Sequence, residues 1–212
     1  IQAAPNRTDL YLNLSAVYLL DEESDAARQW LEKAQKLTDD EATRADIERM
    51  LLAADDPELE TRLGEITDIV NAGNTLEVED VEFLEQILKQ VPSYAEVCVL
   101  LAKAYLNWEE VASALETLLD GYKYSSDDPE IVTLLSQTLW ESGEEDLAFS
   151  YLNKGLIGSP HYVPLLALAG QCLFEDGQTD AARAYLLRAE AISPRDPALV
   201  RVRQHIGRSL NQ

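Results

Sequence analysis

The side chains able to do acid–base, nucleophilic or metal chemistry are His161 and His205, Cys98 and Cys172, and thirty-nine Asp and Glu. A catalytic or metal centre needs such groups at fixed spacing, because a nucleophile must lie within reach of a base and a metal must be ringed by several ligands. The chain contains no CxxC, HExxH or GxSxG, and no glycine-rich loop suited to cradling phosphate. His161 follows Pro160 in a loop-like stretch with no partner ligands nearby. The two cysteines are far apart, each in an apolar helical stretch where a thiol behaves as a small core hydrophobe. The expectation is therefore a non-enzyme, with no catalytic residue, no metal and no cofactor.

Charge narrows the partners. A net charge of −22 over 212 residues opposes sequence-independent binding to nucleic acid or to an anionic membrane, since both require a basic surface. No apolar run approaches the roughly 20 residues needed to span a bilayer, and the start does not resemble a signal peptide. A cytoplasmic location is expected. From Asp39 to Glu85 sixteen acids stand against three Arg, a net of −13. That run reads either as a solvated face or as a docking surface for a basic segment.

The elements that position these groups repeat. Val163 to Asp196 reads as two amphipathic helices: Leu166, Ala169, Gly170 and Leu173 stripe the first, Gly177 breaks the chain, and Ala182, Leu186 and Ala189 stripe the second. Stepping back 34 residues brings the pattern back over 129–162, then 95–128, and it returns again over 8–41. The first-helix anchors are Leu14, Leu101, Leu135 and Ala169, each followed by a small residue: Ser15, Ala102, Ser136 and Gly170. Further columns are Ala27, Ala114, Ala148 and Ala182, then Leu31, Leu118, Leu152 and Leu186, then Ala34, Gly121, Gly155 and Ala189. Helix stops fall at Pro5, Pro92, Pro160 and Pro194, with Asp39 and Ser126 as substitutes.

These columns resemble the tetratricopeptide repeat, a helix-turn-helix unit with small residues where its helices cross and a proline at its end. The resemblance covers four units, about two-thirds of the chain. It implies an all-α, right-handed α-solenoid that binds protein. Two departures stand out. The early first-helix aromatic appears only as Tyr11, with Cys98, Val132 and Leu166 elsewhere, and the turn glycine is replaced by Glu22 and Glu109, where less regular turns are expected.

Between the first and second repeats the period fails, because 53 residues separate Asp39 from Pro92. Residues 42–94 are expected to form an irregular segment containing one degenerate repeat, with helices near Glu41–Ala54, Glu58–Asn71 and Glu77–Gln90. The motif Asp55-Asp56-Pro57-Glu58 recurs as Asp127-Asp128-Pro129-Glu130, and in both an Asp cap with Pro in the first turn is expected to open a helix. The odd helix, Glu41–Ala54, is expected to break the alternation locally. Residues 1–7 place Pro5 as the stop of a preceding repeat, so they read as its tail or as a linker, and the chain reads as part of a longer protein. Residues 197–212 carry Leu199, Val202, Ile206 and Leu210 in a stripe, as a C-terminal capping helix would.

In a stacked array the first helix of each repeat lines the inner surface. The inward positions are Val99, Lys103, Leu106 and Asn107, then Thr133, Gln137, Trp140 and Glu141, then Ala167, Gln171, Phe174 and Glu175. Leu106, Trp140 and Phe174 would make an apolar strip beside a polar ladder of Lys103, Gln137 and Gln171. Trp140 is the expected anchor, removable without loss of the fold; the alternative is that the three apolar residues pack against their own second helices, in which case its removal melts the domain. The family's clamp for acidic tails is not matched, because its positions hold Val99, Lys103, Leu134, Pro164 and Leu168, with a single cation. The expected partner is a protein or peptide, neutral, mixed apolar or basic rather than acidic. Two further readings are a substrate-docking region of a larger enzyme, such as a glycosyltransferase, and self-association through the terminal repeats.

Overall fold

The computed structural model describes residues 8–209 and, among them, is all-helical. Pro5 and the rest of 1–7, together with Leu210, lie outside the described residues. Among the described residues twelve helices follow in order: α1 Thr8–Leu20, α2 Ser24–Gln35, α3 Glu41–Asp55, α4 Leu59–Asn71, α5 Val78–Gln90, α6 Ala95–Asn107, α7 Val111–Tyr124, α8 Pro129–Glu141, α9 Glu145–Gly158, α10 Val163–Glu175, α11 Thr179–Ile192 and α12 Pro197–Ser209. They divide into two compact units, Ile1–Ala104 and Tyr105–Gln212, the division falling inside α6.

In the first unit α1 packs on α2, and α3 packs on both. Tyr11, Leu31, Ala34 and Ile47 form the buried cluster that joins the three. Asp40 starts α3, its carboxylate accepting from the Thr43 N–H at 2.8 Å and the Thr43 hydroxyl at 2.6 Å. α4 and α5 are joined through Arg62, which donates to the Glu79 carbonyl at 3.1 Å, pairs with Asp80 at 3.3 Å and lies 3.9 Å from the Phe83 ring centre.

The two copies of the Asp-Asp-Pro-Glu motif differ. Asp128 caps α8 as expected, accepting from Glu130 N and Ile131 N at 2.9 and 3.0 Å with Pro129 in the first turn. Asp56 accepts only from Glu58 N, and α4 begins at Leu59 with Glu58 as its cap residue. A short turn, closed by Leu59 N–H to the Asp56 carbonyl at 3.1 Å, occupies the place of the expected first helical turn.

In the second unit α8 pairs with α9, α10 with α11, and α12 lies on α10 and α11. α10 contacts α8, α9, α11 and α12, which is why its sequence is apolar on nearly every side. The small columns allow these crossings. A Cβ on Gly170 would stand 2.7 Å from Leu186, and one on Gly155 would stand 2.6 Å from Val132. Leu199 and Val202 of α12 are buried against Val163, Leu166 and Ala189, closing the apolar face of α10 and α11.

The turns correct one expectation. Glu22 and Glu109 sit at φ 60° and 63°, beside Gly143 and Gly177 at 81° and 79°. All four turns carry the same bonds: Glu22 N–H to Leu19, Glu109 N–H to Leu106, Gly143 N–H to Trp140 and Gly177 N–H to Phe174, each closing on the carbonyl three residues back. The glutamate turns are as regular as the glycine turns. What differs is that a side chain is held in the left-handed region.

Candidate functional site

Of the twelve inward positions, Val99 and Lys103 lie on the first unit and the other ten on the second. Val99 is 4% exposed and packs as a core residue, while Ala167, fully buried by its neighbours, lies at the bottom of the cleft described below. Lys103, Leu106, Thr133, Trp140, Gln171 and Phe174 are half-buried, while Asn107, Gln137, Glu141 and Glu175 are exposed. Periodicity finds the face of a helix. It does not separate the floor of a cleft from its walls.

Trp140, half-buried, packs against its own second helix. Its ring meets Phe149 of α9 edge-on at 5.3 Å, in the cluster of Leu152, Leu168, Ala169 and Cys172. Its Nε1 donates to Glu175 Oε2 at 2.6 Å. A ring held by an apolar cluster and by its own indole donor is a structural joint between α8, α9 and α10, and its removal should cost stability.

Glu175 is the centre of the polar ladder. Besides Trp140, its carboxylate accepts from Gln171 Nε2 at 3.0 Å and meets His205 Nε2 of α12 at 2.9 Å. One repeat earlier Gln137 Nε2 donates to Glu141 at 2.8 Å. In each pair one glutamine N–H is used on the glutamate, which leaves the second N–H and the amide Oε1 for a ligand.

Between α8, α10 and α12 lies a cleft of about 230 Å³, with Thr133, Gln137, Gln171, Leu168, Arg201 and His205 among its walls. Arg201 and His205 were not on the inward face read from the repeats. α12 was read as a cap, yet it stands beside α10 as another first helix would, and so adds a wall and a cation to the cleft. A continuation of the inward columns by one more repeat length would have pointed to Arg201 and His205.

Cys172 lies beneath this site, 1% exposed. Burial first, and then the charge of Glu175, push its thiol up to about 12, so it is protonated and unreactive at neutral pH. Among the described residues no three His, Cys, Asp or Glu converge as a metal site, and no helix is long and apolar enough to cross a membrane.

Helix pairs of this kind, with small residues at each crossing and a uniform turn, define a helical-repeat protein. Tetratricopeptide repeat models match residues 8–41, which are α1 and α2, and residues 139–206, which run from the end of α8 into α12. The chain is a tetratricopeptide repeat protein. Among solved structures, the TPR protein YrrB, described as having an unusual peptide-binding site, matches with 17% identity over 96% of this chain and 95% of its own, TM-score 0.52. The TPR protein TTC0263 of Thermus thermophilus matches with 18% identity over 94% and 99%, TM-score 0.54. PilF of Pseudomonas aeruginosa matches with 16% identity over 93% and 97%, TM-score 0.55. At these identities the likeness is one of fold. No curated protein sequence matches the chain.

Proposed function

We propose that the chain is a non-catalytic scaffold that binds a peptide segment of a partner protein in the cleft between α8, α10 and α12. The repeats at 129–162 and 163–196 supply α8 and α10, and α12 closes the third side. The observation that carries this reading is the composition of the walls: two glutamine amides in register with Thr133 on one side and Arg201 on the other, above the apolar floor of Leu168 and Val202. Such a surface pairs with peptide backbone, the glutamine Oε1 atoms accepting N–H groups and Arg201 donating to carbonyls. Arg201 lines the cleft while the carboxylates of Glu141 and Glu175 are bonded to its two glutamines, so opposite charges offset and the segment it suits is neutral and of mixed polarity.

Peptides selected from a random library on the whole chain test this. Arg201→Ala and the double variant Gln137→Ala with Gln171→Ala should each weaken a selected peptide by about tenfold, at an unchanged thermal midpoint. Equal affinity for wild type and both variants would remove the reading.

A further inference from the structure

A roomier concavity, lined by first-unit residues alone, lies within that unit. α1 and α3 lie side by side and, with the start of α4 and Tyr94, border a groove of about 910 Å³. Its floor is Leu12, Ala16, Leu19, Met50 and Ala53, and at its edge Leu20 is 84% exposed. Met50 is the single methionine of the chain, a flexible and polarisable side chain suited to a surface that must mould to another.

The border is acidic. Glu22, Asp46, Asp56 and Glu60 stand against one cation, Arg49, which is already ion-paired to Asp46 and lies 5.6 Å from the Tyr94 ring centre. Glu22, Asp56 and Glu60 therefore face the groove without a lining cation to offset them. The same field acts on Tyr94, whose hydroxyl is held above its ordinary range by burial and then by Glu60 and Glu96, against the opposing Arg49. The wider stretch from Asp39 to Glu85 carries a net of −13. Neutral hydrogen-bonding side chains along the groove are few: Asn13, Ser24 and Tyr94. The carboxylates could accept the N–H groups of an extended segment, but its C=O groups would find few donors along such walls, whereas a helix satisfies its own.

We infer that this groove docks a basic amphipathic helix of another protein, its apolar face on the leucine and methionine floor and its Lys or Arg over Glu22, Asp56 and Glu60. The site is separate from the cleft on α8, α10 and α12 and does not rest on that reading.

The test is fluorescence anisotropy on the whole chain with three synthetic peptides of about 18 residues: a Leu/Lys amphipathic helix, its Leu/Glu counterpart, and a Leu/Lys sequence scrambled to destroy the apolar face. The Leu/Lys helix should bind, with affinity falling steeply as salt rises. Leu20→Lys and Glu60→Lys, both at exposed positions, should each weaken it by about tenfold or more, with thermal midpoints unchanged, and Arg201→Ala should leave it unaltered. Equal binding of the scrambled or Leu/Glu peptide would overturn the proposal, as would full affinity in both groove variants. A wild-type dimer dissociated by Leu20→Lys would also overturn it, by placing a second copy of the chain in the groove.

Discussion

Replacing Glu109 with glycine should make the protein more stable, although it removes a side chain and adds backbone freedom. Glu109 holds φ 63° as the last residue of the turn that closes on the Leu106 carbonyl, where Gly143 and Gly177 occupy the equivalent turns at 81° and 79°. Holding an L-residue in that region costs about 1–2 kcal/mol, and glycine returns about 0.5–1 kcal/mol of this through the entropy of the unfolded chain. The net gain is about 0.5–1 kcal/mol per turn, and Glu22→Gly should add to Glu109→Gly because distant sites are additive. For a chain of 212 residues each kcal/mol moves the midpoint by about 2–4 °C. The reciprocal change, Gly143→Ala, meets nothing within 4 Å of the added Cβ, so its loss of about 1 kcal/mol is conformational and not steric. Urea melts followed by circular dichroism, with amide exchange to assign each change to its unit, measure all three variants. A neutral or destabilising Glu109→Gly together with a harmless Gly143→Ala would refute the reasoning.

Three further changes probe the second unit. Trp140→Ala should lower stability by about 2–3 kcal/mol, less than a fully buried ring because the side chain is half-exposed, whereas Trp140→Phe keeps the contact with Phe149 and loses only the bond to Glu175; equal melts for Trp140→Ala and wild type would return the residue to a purely surface role. Gly170→Leu should cost about 1–3 kcal/mol by overpacking the crossing, since even a Cβ there comes within 2.7 Å of Leu186, and an unchanged denaturation midpoint would contradict it. Cys172, with its thiol raised to about 12, should resist alkylation at pH 8 in the folded chain and react once urea opens the unit; rapid labelling under native conditions would show that the thiol is not held in the core.

The fold was legible because each repeat column reports one physical requirement. A small residue marks a crossing, as Gly170 against Leu186 shows, and proline or its substitute marks a stop. The uniform turn at Glu22 and Glu109 was not legible, because the hydrogen bonds of the turn outweigh the preference of one residue, and residue type alone read as irregularity. The candidate site was legible only in part. Gln137, Gln171 and Thr133 were found by register, but burial of Val99 and Ala167 depends on what packs over them, which one helix does not disclose. The contacts of Trp140 are hidden from its own helix for the same reason: its partners Phe149 and Glu175 lie on two other helices. Arg201 and His205 fall outside the twelve inward positions because the sequence of α12 displays the apolar stripe it buries more plainly than the face it shows to the cleft.

Photo-crosslinking locates the partner segment proposed to lie between α8, α10 and α12. A library-selected peptide carrying a photoreactive residue is irradiated on the whole chain, and the crosslinked positions are read by mass spectrometry. Crosslinks should fall on Thr133, Gln137, Gln171, Arg201 and their neighbours, and should need about tenfold more peptide to reach the same yield in Arg201→Ala. Crosslinks confined to α7, α9 and α11 would contradict the account.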